Sequence, residues 1–271
     1  MLRNWKVTVQ YDGTAYQGWQ IQPDFPTVQE EIQKVLSDIY RNPIQIDGSG
    51  RTDAGVHALG QVFSFQEPRK VKFTEQSFVI ALNSLLPPDI KLLKAEIVDE
   101  DFHARFSAVG KTYIYVLETS NRANPFLRHY AWNRRNKFNF ELLEKAIKKF
   151  EGEHDFSAFT IKNKFLKGTA VREIFKTEVE QLDNQIFLRF TGSGFLYKMV
   201  RSLTGQVVEV GAGFSEISKI DPLFESGCRL KAAKTAPPQG LFLAEVYYDK
   251  KELESRLSST PVEIYKERFC F

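Results

Sequence analysis

Asp47-Gly48-Ser49-Gly50-Arg51-Thr52-Asp53-Ala54-Gly55-Val56-His57-Ala58-Leu59-Gly60-Gln61-Val62 leaves a short strand pattern, crosses a glycine-rich loop and enters a second strand pattern. Its four glycines let the backbone turn tightly and approach a ligand closely. One Asp, one Arg and one His stand among them, so the loop can aim a single carboxylate, that of Asp53. A dinucleotide fingerprint needs a glycine where Asp53 stands, and a P-loop needs Gly-Lys-Ser/Thr where Gly55-Val56 stand, so neither phosphate cradle is present. A turn between strands also uses an Asp to accept hydrogen bonds from its own backbone. Residue types alone leave Asp53 between that role and chemistry.

Outward from the loop, the flanks set the fold. Trp5 to Tyr11 alternates as a strand, and Val28, Ile32, Val35, Leu36 and Ile39 recur at helical spacing behind Thr27, with Glu30 placed to close a capping box. Ile44 to Asp47 and Leu59 to Phe65 read as the strands on either side of the loop. Thr74 to Leu86 reads as a helix stopped by Pro87-Pro88, and Ile90 to Val98 as a further strand. The first half therefore reads βαββαβ.

The second half repeats the order, with a strand over Thr112 to Leu117, a helix over Phe140 to Phe150, and strands Val171 to Leu182 and Gln185 to Phe190 joined by Asp183-Asn184. A helix over Phe195 to Val210 and a strand over Leu241 to Tyr247 complete it. The expected class is α+β: two ferredoxin-like split βαβ halves sharing an extended antiparallel sheet, with the active-site cleft between them. The expected division is 1–106 for the half carrying the Asp53 loop, 107–249 for the second half, and 250–271 for a C-terminal helix and extended tail.

Five further stretches accompany Gly50-Arg51-Thr52-Asp53-Ala54-Gly55-Val56-His57-Ala58. They are Tyr11-Asp12-Gly13-Thr14-Ala15-Tyr16-Gln17-Gly18-Trp19-Gln20, Phe102-His103-Ala104-Arg105-Phe106-Ser107-Ala108, Lys111-Thr112-Tyr113-Ile114-Tyr115, Gly194-Phe195-Leu196-Tyr197-Lys198-Met199-Val200-Arg201 and Ala236-Pro237-Pro238-Gln239-Gly240-Leu241. In kind and order they resemble the motifs of the tRNA pseudouridine synthase A family, over about Trp5 to Tyr248. The resemblance implies the same fold and an isomerase that converts uridine to pseudouridine at positions 38, 39 and 40 in the anticodon stem-loop of tRNA. It implies Asp53 as nucleophile, with the target base flipped out, and Arg201 as its charge partner. Tyr113 would pack on the base, Arg51 would hold the target nucleotide and Leu241 would line the pocket; beside these, Arg105 is read with His103 as a contact for RNA. The family's proteins are homodimers of the bacterial cytoplasm, and the reaction needs no cofactor. Ser193 stands where the family often has an acidic residue, and Lys198 where it often has a His.

Bulk properties agree with this reading without selecting it. A chain of 271 residues with 42% hydrophobic and 26% charged residues is long enough for one large or two modest domains and carries no membrane-length apolar run. Cys228 and Cys270 form no partner pattern, and His57, His103, His129 and His154 are scattered, so no metal site is expected. The net charge of +3 says little about nucleic acid. Local clusters say more: Arg69-Lys70-Val71-Lys72, the run Arg128, Arg134, Arg135 and Lys137, and Lys162, Lys164 and Lys167 interleave with Phe126, Tyr130, Trp132, Phe138 and Phe165.

Two rivals come from other classes. A non-catalytic RNA-recognition module would need an RNP1-like run on its third strand, and Leu59 to Phe65 carries none. A glycoside-cleaving hydrolase would need a second carboxylate, for which Asp12 and Asp47 are the nearby candidates.

Overall fold

The computed structural model describes residues 3–68, 73–161 and 169–269. The basic clusters at 69–72 and 162–167, Phe165 and Cys270 lie outside them. The chain divides into two compact units, Met1–Val109 with Phe242–Lys250, and Gly110–Leu241 with Lys251–Phe271.

The first unit contains β1 (Arg3–Tyr11), α1 (Val28–Tyr40), β2 (Asp47–Gly48), β3 (His57–Glu67), α2 (Glu75–Asn83) and β4 (Ile90–Val98). β4 pairs with β1 and β1 with β3, both antiparallel, and β2 adds antiparallel to β3 through Asp47↔Ser64 and Gly48↔Phe63. Alternation explains β1: Trp5, Val7, Val9 and Tyr11 are all buried, and the Trp5 ring stacks on Phe78 of α2 at 4.6 Å. In α1 the buried stripe is Val28, Ile32, Val35, Leu36 and Tyr40.

The second unit contains β5 (Gly110–Glu118), β6 (Trp132–Asn133), α3 (Phe140–Lys148), β7 (Gly152–Asp155), β8 (Val171–Leu182), β9 (Gln185–Gly192), α4 (Met199–Gly211) and α5 (Asp221–Ser226). Strand β10 (Leu241–Tyr247) follows, its residues from Phe242 counted with the first unit, and then α6 (Lys250–Arg256) and α7 (Pro261–Phe269). β5 pairs with β9, β9 with β8 and β8 with β7, all antiparallel. The β8–β9 hairpin turns on Asp183, which takes the left-handed conformation at φ 52°.

Four expectations need correction. The sheet pairing is mixed rather than wholly antiparallel, because β10 runs parallel to β3 through Phe242↔His57 and Leu243↔Ala58, and β6 runs parallel to β5. Thr27 makes no side-chain cap, and its buried Oγ1 has no partner among the described residues. The first free N–H groups of α1 go instead to backbone carbonyls, Val28 N to Gly18 O at 3.2 Å and Gln29 N to Trp19 O at 3.0 Å. The α4 helix begins at Met199 rather than Phe195, since Lys198 sits at φ 58° and breaks the helical run. Finally, the described part of the tail is two helices rather than one helix and an extended segment.

Those last helices cover the second unit's sheet on the face opposite α3. Thr177 Oγ1 donates to Ile147 O of α3, whereas the neighbouring Glu178 and Glu180 and the paired Phe187 and Arg189 point the other way. There Arg189, fully buried, donates to Ser259 O at 2.5 Å and Arg256 O at 2.9 Å, and Glu180 accepts from Val262 N at 2.9 Å. Tyr265 lies 5.3 Å from Phe187, centroid to centroid. Helices therefore pack on both faces of this unit's sheet.

Candidate active site

The Asp53 loop is built from its own turn and from the segment that follows β1. Val56 N–H donates to Asp53 O at 3.1 Å, closing a β-turn whose third residue needs positive φ, and Gly55 supplies it at 73°. Gly55 N–H donates in turn to Tyr16 O at 3.3 Å, and Trp19 N–H to Thr52 O at 3.2 Å. Gly18 takes φ 93°, and any Cβ there would run into Thr52 O and stand 3.0 Å from the carbonyl carbon of Asp53. The two backbones touch only because Gly18 has no side chain.

Side chains complete the clamp. The buried Tyr11 hydroxyl and Thr52 Oγ1 share a hydrogen bond of 2.8 Å, and burial pushes the Tyr11 phenol well above its ordinary pKa, so it stays protonated. On the other side of the loop, Ser49 Oγ donates to Gln61 Oε1 at 2.6 Å and Gln61 Nε2 donates to Gly50 O at 3.0 Å. Since Gly18 and Trp19 also cap α1, helix, segment and loop form one hydrogen-bonded stack. Asp53 is half-buried and Arg51 exposed upon it.

Nearby, His57, Asp12 and His103 each accept a backbone N–H. His57 is buried, stacks on Phe242 at 4.8 Å, and accepts Gly13 N–H on Nδ1 at 3.0 Å. Asp12 Oδ1 accepts Thr14 N at 2.9 Å and Thr14 Oγ1 at 2.5 Å, an Asx turn, and lies 3.1 Å from His57 Nδ1. Asp47 lies 3.8 Å from His103 Nε2, while His103 Nδ1 accepts Arg105 N at 3.1 Å. The Arg105 guanidinium lies 5.5 Å from the ring centre of Phe106, which is 76% exposed.

The remaining expected residues belong to the second unit. Arg201, in the first turn of α4, donates from Nε to Ala236 O at 2.8 Å and accepts Ala236 N on its carbonyl at 3.0 Å. Next to that segment, Tyr115 donates to Pro237 O at 2.8 Å. Burial pushes the Tyr115 pKa up and the charge of Arg201 opposes the rise. Tyr113 is nearly buried in β5 and meets Phe195 edge-on at 5.1 Å, and Leu241 is buried at the head of β10. Ser193 Oγ accepts from Glu173 N and donates to Glu173 O, each at 3.3 Å, so this departure from the family pattern braces β8. Lys198 places its ammonium 5.1 Å from the Tyr197 ring centre.

Sequence reasoning missed Tyr11, Gly18, Ser49 and Gln61 as the residues that hold the loop. For Tyr11 and Gly18 the signal was Tyr11-Asp12-Gly13-Thr14-Ala15-Tyr16-Gln17-Gly18-Trp19, where glycines alternate with aromatics that no helical or strand period accounts for; Ser49 and Gln61 stand in the loop stretch itself.

A two-unit α+β chain that presents one carboxylate on a rigid glycine-rich loop has the makings of an enzyme. A family model described as tRNA pseudouridine synthase matches residues 7–107 and 146–249. The chain belongs to that family and is thereby an isomerase. It is 44% identical over 250 residues to a tRNA pseudouridine synthase A from Lacticaseibacillus casei (strain BL23), covering 91% of this chain and 100% of the relative. Identity is 42% over 249 residues to the tRNA pseudouridine synthase A of an Exiguobacterium species, covering 92% and 99%, and 43% over 248 residues to that of Ruminiclostridium cellulolyticum, covering 91% and 100%. Among the described residues no helix is long and apolar enough to cross a membrane.

Proposed function

We propose that this isomerase converts uridine to pseudouridine at positions 38, 39 and 40 in the anticodon stem-loop of tRNA, with Asp53 as nucleophile. The bond from uracil N1 to ribose C1′ breaks, the base turns, C5 bonds to C1′, the C5 hydrogen leaves to water and N1 gains a proton. The transformation is internal to the nucleotide, so it calls for no cofactor. Asp53 acts as the carboxylate, on C1′ or on the uracil ring, and Arg201 is the cation that pairs with it. Tyr113 offers an aromatic face to a uridine flipped from its stem, Arg51 and Arg105 hold the RNA, and Leu241 packs beside the base. The enzyme works as a homodimer in the bacterial cytoplasm. The repeat of a split βαβ order in both halves, with β4-β1-β3-β2 antiparallel in the first, supports reading each as ferredoxin-like.

The observation that carries this reading is the family's tRNA substrate class joined to a loop that fixes Asp53 between Gly18, Gly55 and the Tyr11–Thr52 pair. Unmodified tRNA incubated with the enzyme and mapped for pseudouridine tests the substrate assignment. New pseudouridine at 38, 39 or 40 is expected, and modification confined to other stems would overturn the positional assignment.

A further inference from the structure

The second unit holds a polar cavity of about 530 Å³ lined by Arg134, Lys219, Lys231 and Lys234, with Gln206, Glu209 and Ser215 among its other walls. Four cations face one carboxylate there. Glu209 lies 3.6 Å from Arg134, while among the described residues Lys219, Lys231 and Lys234 form no ion pair and the buried Arg134 Nε has no hydrogen-bond partner. The wall is fixed, because Gln206 Oε1 accepts Ala233 N at 3.0 Å and Arg229 donates to Ala233 O at 3.0 Å and Thr235 Oγ1 at 2.6 Å.

We propose that this cavity is a phosphate subsite for the RNA backbone, separate from the nucleotide that reacts; the proposal rests on the tRNA reading above. A cluster of unneutralised lysines on flexible stems suits a run of phosphodiesters, which need charge more than a fixed fork. Apolar groups beside the cations suit a polymer that also carries bases. The Arg134 guanidinium lies 4.9 Å from the Trp132 ring centre, and Phe214, next to the lining residue Ser215, is 64% exposed. The cavity also shares two segments with Arg201. Helix α4 carries Arg201, Gln206 and Glu209, which at 1.5 Å per residue puts the cavity roughly 8–12 Å along the helix. The stretch from Ala232 runs from the cavity wall to Ala236, which is bonded twice to Arg201. A phosphate seated in the cavity therefore sets the register of RNA against the segment that holds Arg201.

The test is tRNA binding and turnover at several salt concentrations for wild type, Lys231→Ala/Lys234→Ala and Lys219→Ala, with Lys34→Ala on α1 as the control for a lost surface charge. The double variant is expected to weaken binding and raise KM about tenfold, to leave kcat within about twofold, and to flatten the dependence of log Kd on log salt by about 1 to 2. Lys219→Ala shifts the same quantities by less, and Lys34→Ala leaves them alone. Unchanged Kd and salt slope in both cavity variants would overturn the proposal, as would a loss of kcat with Kd intact. Inorganic pyrophosphate separates a free small anion: its tight binding to wild type, lost in the double variant while the tRNA Kd stays constant, would also overturn it. Direct binding separates the subsite from the chemistry, since a wild type that binds tRNA without forming pseudouridine would fail the proposed reaction alone.

Discussion

Gly18 is the residue on which the Asp53 loop depends most, although it carries no chemistry. Its positive φ and its contact with the Thr52 and Asp53 backbone leave no room for a methyl group. Gly18→Ala is expected to destabilise the protein by about 2 kcal/mol or more and to cost activity beyond that loss, because Asp53 moves with its backbone. Thermal unfolding and turnover at a temperature where the variant is folded check both parts; full activity with a lowered Tm would mean that the clamp does not position Asp53. Tyr11→Phe is milder, removing one buried hydrogen bond to Thr52 at about 1 kcal/mol with no change in the pH profile, since the burial-raised phenol does not ionise in the working range. The glycine-rich loop between two strands was legible from the sequence. The clamp was not, because Tyr11, Gly18 and Gln61 reach the loop through tertiary contacts that leave no local period.

At the scale of elements, two strands with clear turn signals at an end are legible to the residue. Ile90–Val98 and Val171–Leu182 stand as expected, bounded by Pro88-Asp89 and by the Asp183-Asn184 turn. The N-terminus of α1 departs from its sequence pattern for a physical reason. Thr27 and Glu30 have the residue types of a capping box, but the Gly18 and Trp19 carbonyls take the Val28 and Gln29 N–H groups, and Thr27 makes no side-chain cap. The anchor of the C-terminal helices was not legible, because Arg189 looks like an outward-facing strand charge. Arg189→Ala removes a buried guanidinium from the Arg256 and Ser259 carbonyls and is expected to cost about 3 kcal/mol and to open the chain near Arg256 to limited proteolysis. Arg189→Met restores volume without the hydrogen bonds. Its cleavage rate should fall between wild type and the alanine variant, and a rate equal to wild type would assign the anchoring to packing alone.

Across the whole molecule, five tyrosines answer to one cause. Burial raises the pKa of Tyr11, Tyr16, Tyr40, Tyr115 and Tyr248 above the ordinary value of about 10. Above that value the unfolded chain loses these protons and the folded chain keeps them, so stability is full below about pH 10 and falls as pH climbs towards the folded values. Spectrophotometric titration should show these phenols ionising together with unfolding; their ionisation in a still folded protein would contradict it. Charge also acts at this scale: net charge is only +3, so the proposed tRNA binding depends on local clusters and should weaken as salt rises. The claim on which everything else hangs is that Asp53 makes and breaks the glycosidic bond. Tritium release from tRNA labelled at uridine C5 tests it most directly, because C5 loses its hydrogen only when it becomes the new glycosidic carbon. Wild type should release tritium, and Asp53→Ala and Asp53→Asn should fall at least about a thousandfold while binding tRNA nearly as well. Release by Asp53→Asn at the wild-type rate would contradict the account.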